Sequence, residues 1–313
     1  MLENKLEIIL ITYNRKQYLE DTLNQLFCDS SPIKNCKFTI LDNCSSDGTT
    51  ELIEEYAKKY NNIKHIRHNK NIGGNANITR AIEKASSEYF WILCDDDKYD
   101  WTAFNEIENA INEDKDIILV TKELLKKKNN IGLIVRQLTF LPAGIYKTAN
   151  VTSSVLQGAY NNITFLLPHM SLITSLVNSN KISNIHITSE SIVIPQNLNR
   201  EYTRGNNDPD ATSKRMFWII GFINAIQSIK DKKTKKIILN NLTTKFFGFF
   251  SMICAEFKYN RMYYNNSFRN ICDVFTGINL WQKIQFLLAL IWLDVIYFIK
   301  RFILRNKKYI PQK

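Results

Sequence analysis

The last third of the chain is nearly without acids. Residues 211–313 carry 4 Asp and Glu against 18 Lys and Arg, whereas residues 1–210 carry 26 acids and 23 cations. The net charge of +11 over 313 residues therefore belongs to the C-terminal third and points to a surface facing an anionic partner. The six cysteines (Cys28, Cys36, Cys44, Cys94, Cys254, Cys272) include no C-x-x-C pair and no metal-ligand spacing. That pattern leaves reduced, mostly buried thiols in a cytosolic protein as the expectation. Met1 to Lys5 lead straight into a strand-like run, with no basic stretch followed by an apolar signal region, so no secretion is expected. There is no internal repeat and no recognised nucleic-acid-binding module, and the cations flank long apolar runs instead of sitting among polar residues. The hydrophobic content of 45% is ample for a sizeable core, in one large domain or a domain with an appendage.

Strand-like and helix-like segments alternate over the first hundred residues. Glu7–Thr12 reads as a buried strand ending at Tyr13-Asn14-Arg15, and residues 17–27 carry apolar positions at helical spacing. Phe38–Leu41 is a second strand ending at Asp42-Asn43, and Ser45-Ser46-Asp47-Gly48-Thr49 is a turn that opens the next helix. Asn62–Arg67 is a third strand, Asn71–Asn75 a glycine turn, and residues 75–86 a helix. The apolar run Glu88–Leu93 is the fourth strand, ending in Cys94-Asp95-Asp96-Asp97. Such alternation predicts a parallel sheet with right-handed crossovers, so that Asn14, Asp42 and Asp95–Asp97 share one edge. Further on, a helix over 101–113 and strands near 117–121 and 131–135 are expected, with Lys126–Lys128 a solvated turn. Residues 196–213 read as a loop that divides the chain into 1–205, the catalytic part, and 206–313, a helical basic region.

Three consecutive carboxylates at a strand end repel one another and raise one another's pKa values. A hard divalent cation offsets that charge through carboxylate oxygens, often together with the phosphates of a nucleotide. The carboxyl end of a buried strand is also where open α/β sheets hold ligands.

Thr12-Tyr13-Asn14-Arg15, Asp42-Asn43 with Ser45–Thr49, Asn71-Ile72-Gly73 and Asp96-Asp97, in that order over residues 5–100, resemble the successive motifs of family 2 glycosyltransferases. The resemblance implies the GT-A fold, a Rossmann-like α/β architecture with a mostly parallel sheet flanked by helices, and a nucleoside-diphosphate-sugar donor. Thr12, Tyr13 and Asn14 would line the base and ribose pocket, and Arg15, Asn71 and Gly73 would also bind the donor. Asp42 would accept the imide N–H of a uracil or thymine ring, since an ionised carboxylate only accepts. Asp95 would take ribose hydroxyls, and Asp96 with Asp97 would bind Mg²⁺ or Mn²⁺. Cys94 stands where the family usually has the first Asp of its motif, as in a subgroup with the triple-Asp form. Ile78 and Thr79 replace a frequent Arg and Asn, and Arg80 lies two residues away, about 200° round the helix.

An inverting transfer needs a base to take the proton of the acceptor hydroxyl. The family's acidic residue, often a Glu-Asp pair about a hundred residues beyond the metal motif, has no such pair here. Glu190 is the sole acid between residues 124 and 200, and His169, in Leu167-Pro168-His169-Met170, resembles a Pro-His of the triple-Asp subgroup. Both are candidates, with Asp100, Asp208 and Asp210 as further ones. The stretch Ile284–Ile299, free of basic residues, is 16 residues, interrupted by Gln285 and Asp294 and followed by Lys300, Arg301, Arg305, Lys307 and Lys308. It falls short of the roughly 20 residues that span a bilayer and suits a helix in the interface of an anionic membrane, with Phe246-Phe247-Gly248-Phe249-Phe250 as a second patch.

The expectation is a metal-dependent, inverting glycosyltransferase, cytoplasmic and peripheral on the inner face of the cell membrane. Its acceptor would be a hydroxyl of a lipid-linked or surface-polysaccharide glycan, and nucleic acid is not an expected partner. The alternatives are a nucleotidyltransferase making an activated sugar, for which the glycine-rich phosphate loop after the first strand is lacking, and a catalytically silent membrane-bound scaffold.

Overall fold

The computed structural model describes residues 2–122, 130–163, 167–196, 218–241 and 278–307. Four strands, β1 (Leu6–Thr12), β2 (Lys37–Asp42), β3 (Ile63–Arg67) and β4 (Tyr89–Cys94), run parallel, with helices α1 (Lys16–Phe27), α2 (Thr49–Lys59) and α3 (Gly74–Lys84) as crossovers. Parallel strands covered on both faces read as continuous apolar runs. Accordingly β1 is buried at six of its seven positions and β4 at all but Cys94.

Alternate residues of these strands feed two cores. Leu6, Ile8, Leu10, Phe38, Ile40, Tyr89, Trp91 and Leu93 pack with Leu19, Leu23, Leu26 and Ile53 on one face. Ile9, Leu41, Phe90 and Ile92 face the other way, toward Ala81 and Ile82 of α3.

After β4 come the short β5 (Lys98–Tyr99), α4 (Phe104–Asn112), β6 (Ile117–Leu119), α5 (Ile131–Gln137), β7 (Gly144–Lys147), α6 (Ser153–Asn161), α7 (Met170–Asn178), β8 (Ile185–Ile187) and β9 (Val193–Ile194). The seven-stranded sheet has the order β3-β2-β1-β4-β7-β6-β8, with β7 antiparallel to both of its neighbours. A separate ribbon pairs β5 with β9.

The strand expected at 131–135 is a helix, α5. Asn130 caps it by accepting from the Leu133 N–H at 3.1 Å, and a short apolar run alone does not distinguish a strand from a buried helix. Residues 123–129, with the Lys126–Lys128 turn, and most of the 196–213 loop lie outside the described residues.

Beyond that loop are α8 (Trp218–Gln227), α9 (Lys232–Asn240) and α10 (Leu280–Lys307). Phe222, Ile223, Ile226, Ile238, Leu239, Phe286 and Ala289 join the same core cluster as Ile9 and Phe90. A Cβ added at Gly132 of α5 would stand 2.6 Å from the Asn241 Cβ, so glycine there allows α9 its close approach. Among the described cysteines no disulfide forms, and Cys36 is buried whereas Cys28 is exposed.

Candidate active site at the strand tips

Parallel register brings the ends of β1, β2 and β4 to one edge. Thr12 lies opposite Asp42 across β1 and β2, and Ile11 lies opposite Cys94 across β1 and β4. Between β1 and α1 the chain turns sharply at Asn14, whose φ of +50° is rare for a residue other than glycine. Asn is among the few types that tolerate it, and its side chain is tied down here. Its Oδ1 accepts from Ser46 N at 2.7 Å, while its own N–H donates to Ser45 Oγ at 2.9 Å. Thr49 Oγ1 accepts from Arg15 N and Asp47 accepts from Lys16 N, so the β2–α2 turn holds the β1–α1 loop. Ser45, Asp47 and Thr49 thus build the loop. Tyr13 is half-buried beside it.

That loop aims Arg15 at the acidic cluster. Its Nε lies 3.0 Å from Asp95 Oδ1, its second guanidinium nitrogen 2.7 Å from Asp96 Oδ2, and its plane covers the Tyr18 ring at 4.5 Å. Thr12 Oγ1 donates to Asp95 Oδ2 at 2.6 Å. Burial pushes the Asp95 carboxyl up to about 7, against the pull of Arg15 and Thr12. Burial, followed by the charges of Asp97, Asp96 and Asp95, also pushes the Cys94 thiol well above its ordinary value.

Cys94, Asp96 and Asp97 bring one ligand atom each within 4.8 Å of one another. Two of the three donors of this group are carboxylate oxygens, the kind that Mg²⁺ and Mn²⁺ prefer. The side chains present therefore fit a hard divalent cation.

Asp42 is fully buried beneath the turn. Its Oδ1 accepts from Ser45 N at 2.9 Å and its Oδ2 from Thr50 Oγ1 at 2.6 Å, with Arg67 Nε 3.6 Å away. In this conformation it caps the turn, and a nucleobase would reach it only after Ser45–Thr50 moved.

Asn43, unremarked in the sequence except as the neighbour of Asp42, is the hinge pin of the glycine turn. Its amide donates to Asn71 Oδ1 at 2.8 Å and accepts from Ile72 N at 3.0 Å, while Asn71 Oδ1 also accepts from Gly73 N. Gly73, at φ +83° and ψ 153°, adopts backbone that only glycine adopts freely.

Ile78 packs against the core, and Thr79 is buried and bonded to Asn75 O. Arg80 instead faces a cavity of about 510 Å³ lined by His68, Asn69, Lys70, Ile72, Ala76 and Tyr160, with Glu83 Oε2 3.0 Å from its guanidinium.

The two candidate bases sit in different surroundings. His169 is buried at the start of α7 with Nε2 3.1 Å from Leu138 O, and burial lowers its pKa to about 4. It is a neutral imidazole whose Nε2 carries the proton, because a carbonyl only accepts. Glu190 is half-buried and paired with Lys122 Nζ at 2.6 Å. Its segment runs into β9, which pairs with β5 directly after the acidic cluster, and Ile192 O accepts from Asp100 N at 2.9 Å. The Asp100 side chain caps its own turn through Thr102. Asp208 and Asp210 lie outside the described residues.

A mostly parallel sheet with an acidic cluster at its carboxyl edge, extended by an antiparallel strand, is the GT-A architecture. The family model "Glycosyl transferase family 2" matches residues 7–173, just over half of the chain, and the chain belongs to that family. Abequosyltransferase RfbV of Salmonella typhimurium is 31% identical over 113 residues, which are 36% of this chain and 34% of that protein. The poly(ribitol-phosphate) beta-glucosyltransferase of Bacillus spizizenii is 26% identical over 181 residues, covering 57% of this chain and 26% of that one. The chain thus spans about a third or less of the length of these relatives. Among solved structures, TarS 1–349 of S. aureus in complex with UDP-GlcNAc superposes with a TM-score of 0.54 at 18% identity, covering 91% of this chain and 79% of that one. The mannosyltransferase PcManGT of Pyrobaculum calidifontis, in complex with GDP-Man and Mn²⁺, gives 0.51 at 13% identity, covering 94% and 80%.

Proposed function

We propose that the protein is a metal-dependent, inverting glycosyltransferase that moves a sugar from a nucleoside diphosphate to a hydroxyl of a lipid-linked or surface-polysaccharide acceptor. The observation that carries this reading is the convergence of Thr12, Arg15, Asp95 and Asp96 at one sheet edge, beside the Asp96-Asp97 carboxylate pair. The similarity to a poly(ribitol-phosphate) beta-glucosyltransferase supports the acceptor class.

Asp96 and Asp97 would hold Mg²⁺ or Mn²⁺, whose Lewis-acid charge offsets that developing on the leaving diphosphate. Arg15, paired with Asp95 and Asp96, can swing to the diphosphate as a bidentate donor. Asp95, held by Thr12, accepts ribose hydroxyls. Asn71 and Gly73 shape the turn against the nucleotide, and the Thr12–Arg15 loop forms its floor.

Glu190 is the base. The acceptor oxygen forms a bond to the anomeric carbon, the bond from that carbon to the phosphate oxygen breaks, and the acceptor proton passes to the Glu190 carboxylate. His169 is buried with its Nε2 bound to Leu138 O, and serves packing instead of proton transfer. A nucleotidyltransferase would need a phosphate-cradling loop after β1, where this chain spends its backbone donors on Ser45, Thr49 and Asp47.

The test is hydrolysis or transfer from a panel of nucleotide-sugars with Mn²⁺, followed by mass spectrometry. Turnover of at least one donor that disappears in Asp96→Ala supports the reading. Absence of turnover from every donor, together with no nucleotide shifting the melting temperature, overturns it.

A further inference from the structure

Helix α10 wears its polarity inside out. Gln282, Gln285, Phe286 and Ala289 are buried against the body of the protein, and the Gln282 amide donates to Leu239 O at 2.8 Å. On the opposite side Ile284, Leu287, Leu288, Ile291, Trp292 and Val295 recur at i, i+3, i+4, i+7, i+8 and i+11, the spacing of one helix face. All six are exposed, with Ile291 at 61% and Trp292 at 53%. Scattered apolar residues on a surface are ordinary, whereas a continuous stripe of them marks an interaction site.

The charge of the same element says what covers it. Over Leu280–Lys307 the sequence carries Lys283, Lys300, Arg301, Arg305 and Lys307 against a single acid, Asp294. It lies in the third of the chain where 18 cations face 4 acids. A second copy would bring the same excess of positive charge to the contact, whereas an anionic surface neutralises it. No described helix is long and apolar enough to cross a membrane, and α10 is held along its buried face by the protein. It can therefore lie in the plane of an interface but not stand through it.

We propose that the outward stripe of α10 docks the protein on an anionic lipid surface, with Ile284, Leu288, Ile291, Trp292 and Val295 entering the headgroup–acyl boundary. Docking of this kind is independent of the transfer reaction, because α10 contributes no residue to the strand-tip site.

The experiment is flotation of the full chain with vesicles of phosphatidylcholine alone or mixed with phosphatidylglycerol, at low and high salt, with light scattering to read the oligomeric state. The expected result is a monomer that floats with the anionic vesicles, less so at high salt. In the double variant Ile291→Asp, Trp292→Asp, partitioning falls about tenfold or more while nucleotide binding and circular dichroism stay unchanged. Flotation equal on both vesicle types, flotation unchanged by the double variant, or a dimer that the double variant dissociates would each overturn the proposal.

Discussion

Replacing Arg15 by alanine leaves Asp95 and Asp96 without the guanidinium they share. The side chains are 15%, 6% and 24% exposed respectively, between the buried and the surface limits. Removing one partner of a fully buried pair costs about 3–5 kcal/mol, and an exposed pair contributes less than about 1 kcal/mol. The geometry here therefore calls for roughly 2 kcal/mol, or about 4 °C in Tm at roughly 2 °C per kcal/mol for a chain of this size. If that loss comes from stranded negative charge, then Asp96→Asn in the Arg15→Ala background returns part of it. The double variant should be more stable than the sum of the singles by about 1–2 kcal/mol. Mn²⁺ should also raise the Tm of Arg15→Ala by more than it raises that of the wild type, since it supplies the missing charge. Metal-free thermal unfolding of the four proteins, repeated with Mn²⁺, measures both quantities. Additivity within about 0.5 kcal/mol, with the same Mn²⁺ response in all backgrounds, would refute the ion-pair account.

Three further variants test side chains at other places. Glu7, fully buried at the opposite end of β1, accepts from Thr39 Oγ1 at 2.7 Å and from Ser86 N and Oγ at 2.9 Å, with Lys37 3.3 Å away. Burial alone would raise its pKa, but the bonds from Thr39 and Ser86 and the charge of Lys37 outweigh it and leave the carboxyl below its ordinary value. A depressed acid stabilises the fold above its unfolded pKa and loses that stabilisation as pH falls through the folded one. Glu7→Gln should thus cost about 2–3 kcal/mol at pH 7 and progressively less below about pH 4.5; a penalty that does not change with pH between 7 and 3 in denaturant titrations would contradict this. Glu190→Gln should lower kcat by about a hundredfold or more with little change in Tm. His169→Ala should lower Tm by several degrees and leave kcat within about threefold; the opposite pattern in the two variants would move the base to His169.

The parallel half of the sheet was legible because its strands are buried on both faces. Leu6–Thr12 and Tyr89–Cys94 are nearly unbroken apolar runs, and polar residues begin where each strand leaves the core. β7, β8 and β9 were not, being strands of 4, 3 and 2 residues that carry too short a pattern to count. The same brevity hid α5, whose cap at Asn130 gave the better signal. At the site, Thr12, Arg15, Asp95 and Asp96 were readable as residue types at strand ends, but their mutual bonds span 80 to 83 positions in sequence and follow only from register. Glu7 escaped notice because it is a polar group inside an apolar run, while Asn43 was read only with Asp42 as a motif; the partners of both come from distant segments. The exposed face of α10 was anticipated as an amphipathic element, but its buried glutamines set the orientation, which no hydropathy pattern would have given.

If the strand tips hold a nucleoside diphosphate through a cation on Asp96, binding must depend on both. Calorimetric titration of UDP and GDP into the protein with Mn²⁺, then with a chelator, and then into Asp96→Ala, tests it most directly. The expected result is binding of at least one nucleotide that vanishes with the chelator and in the variant. Binding that survives both, or no binding under any condition, would contradict it.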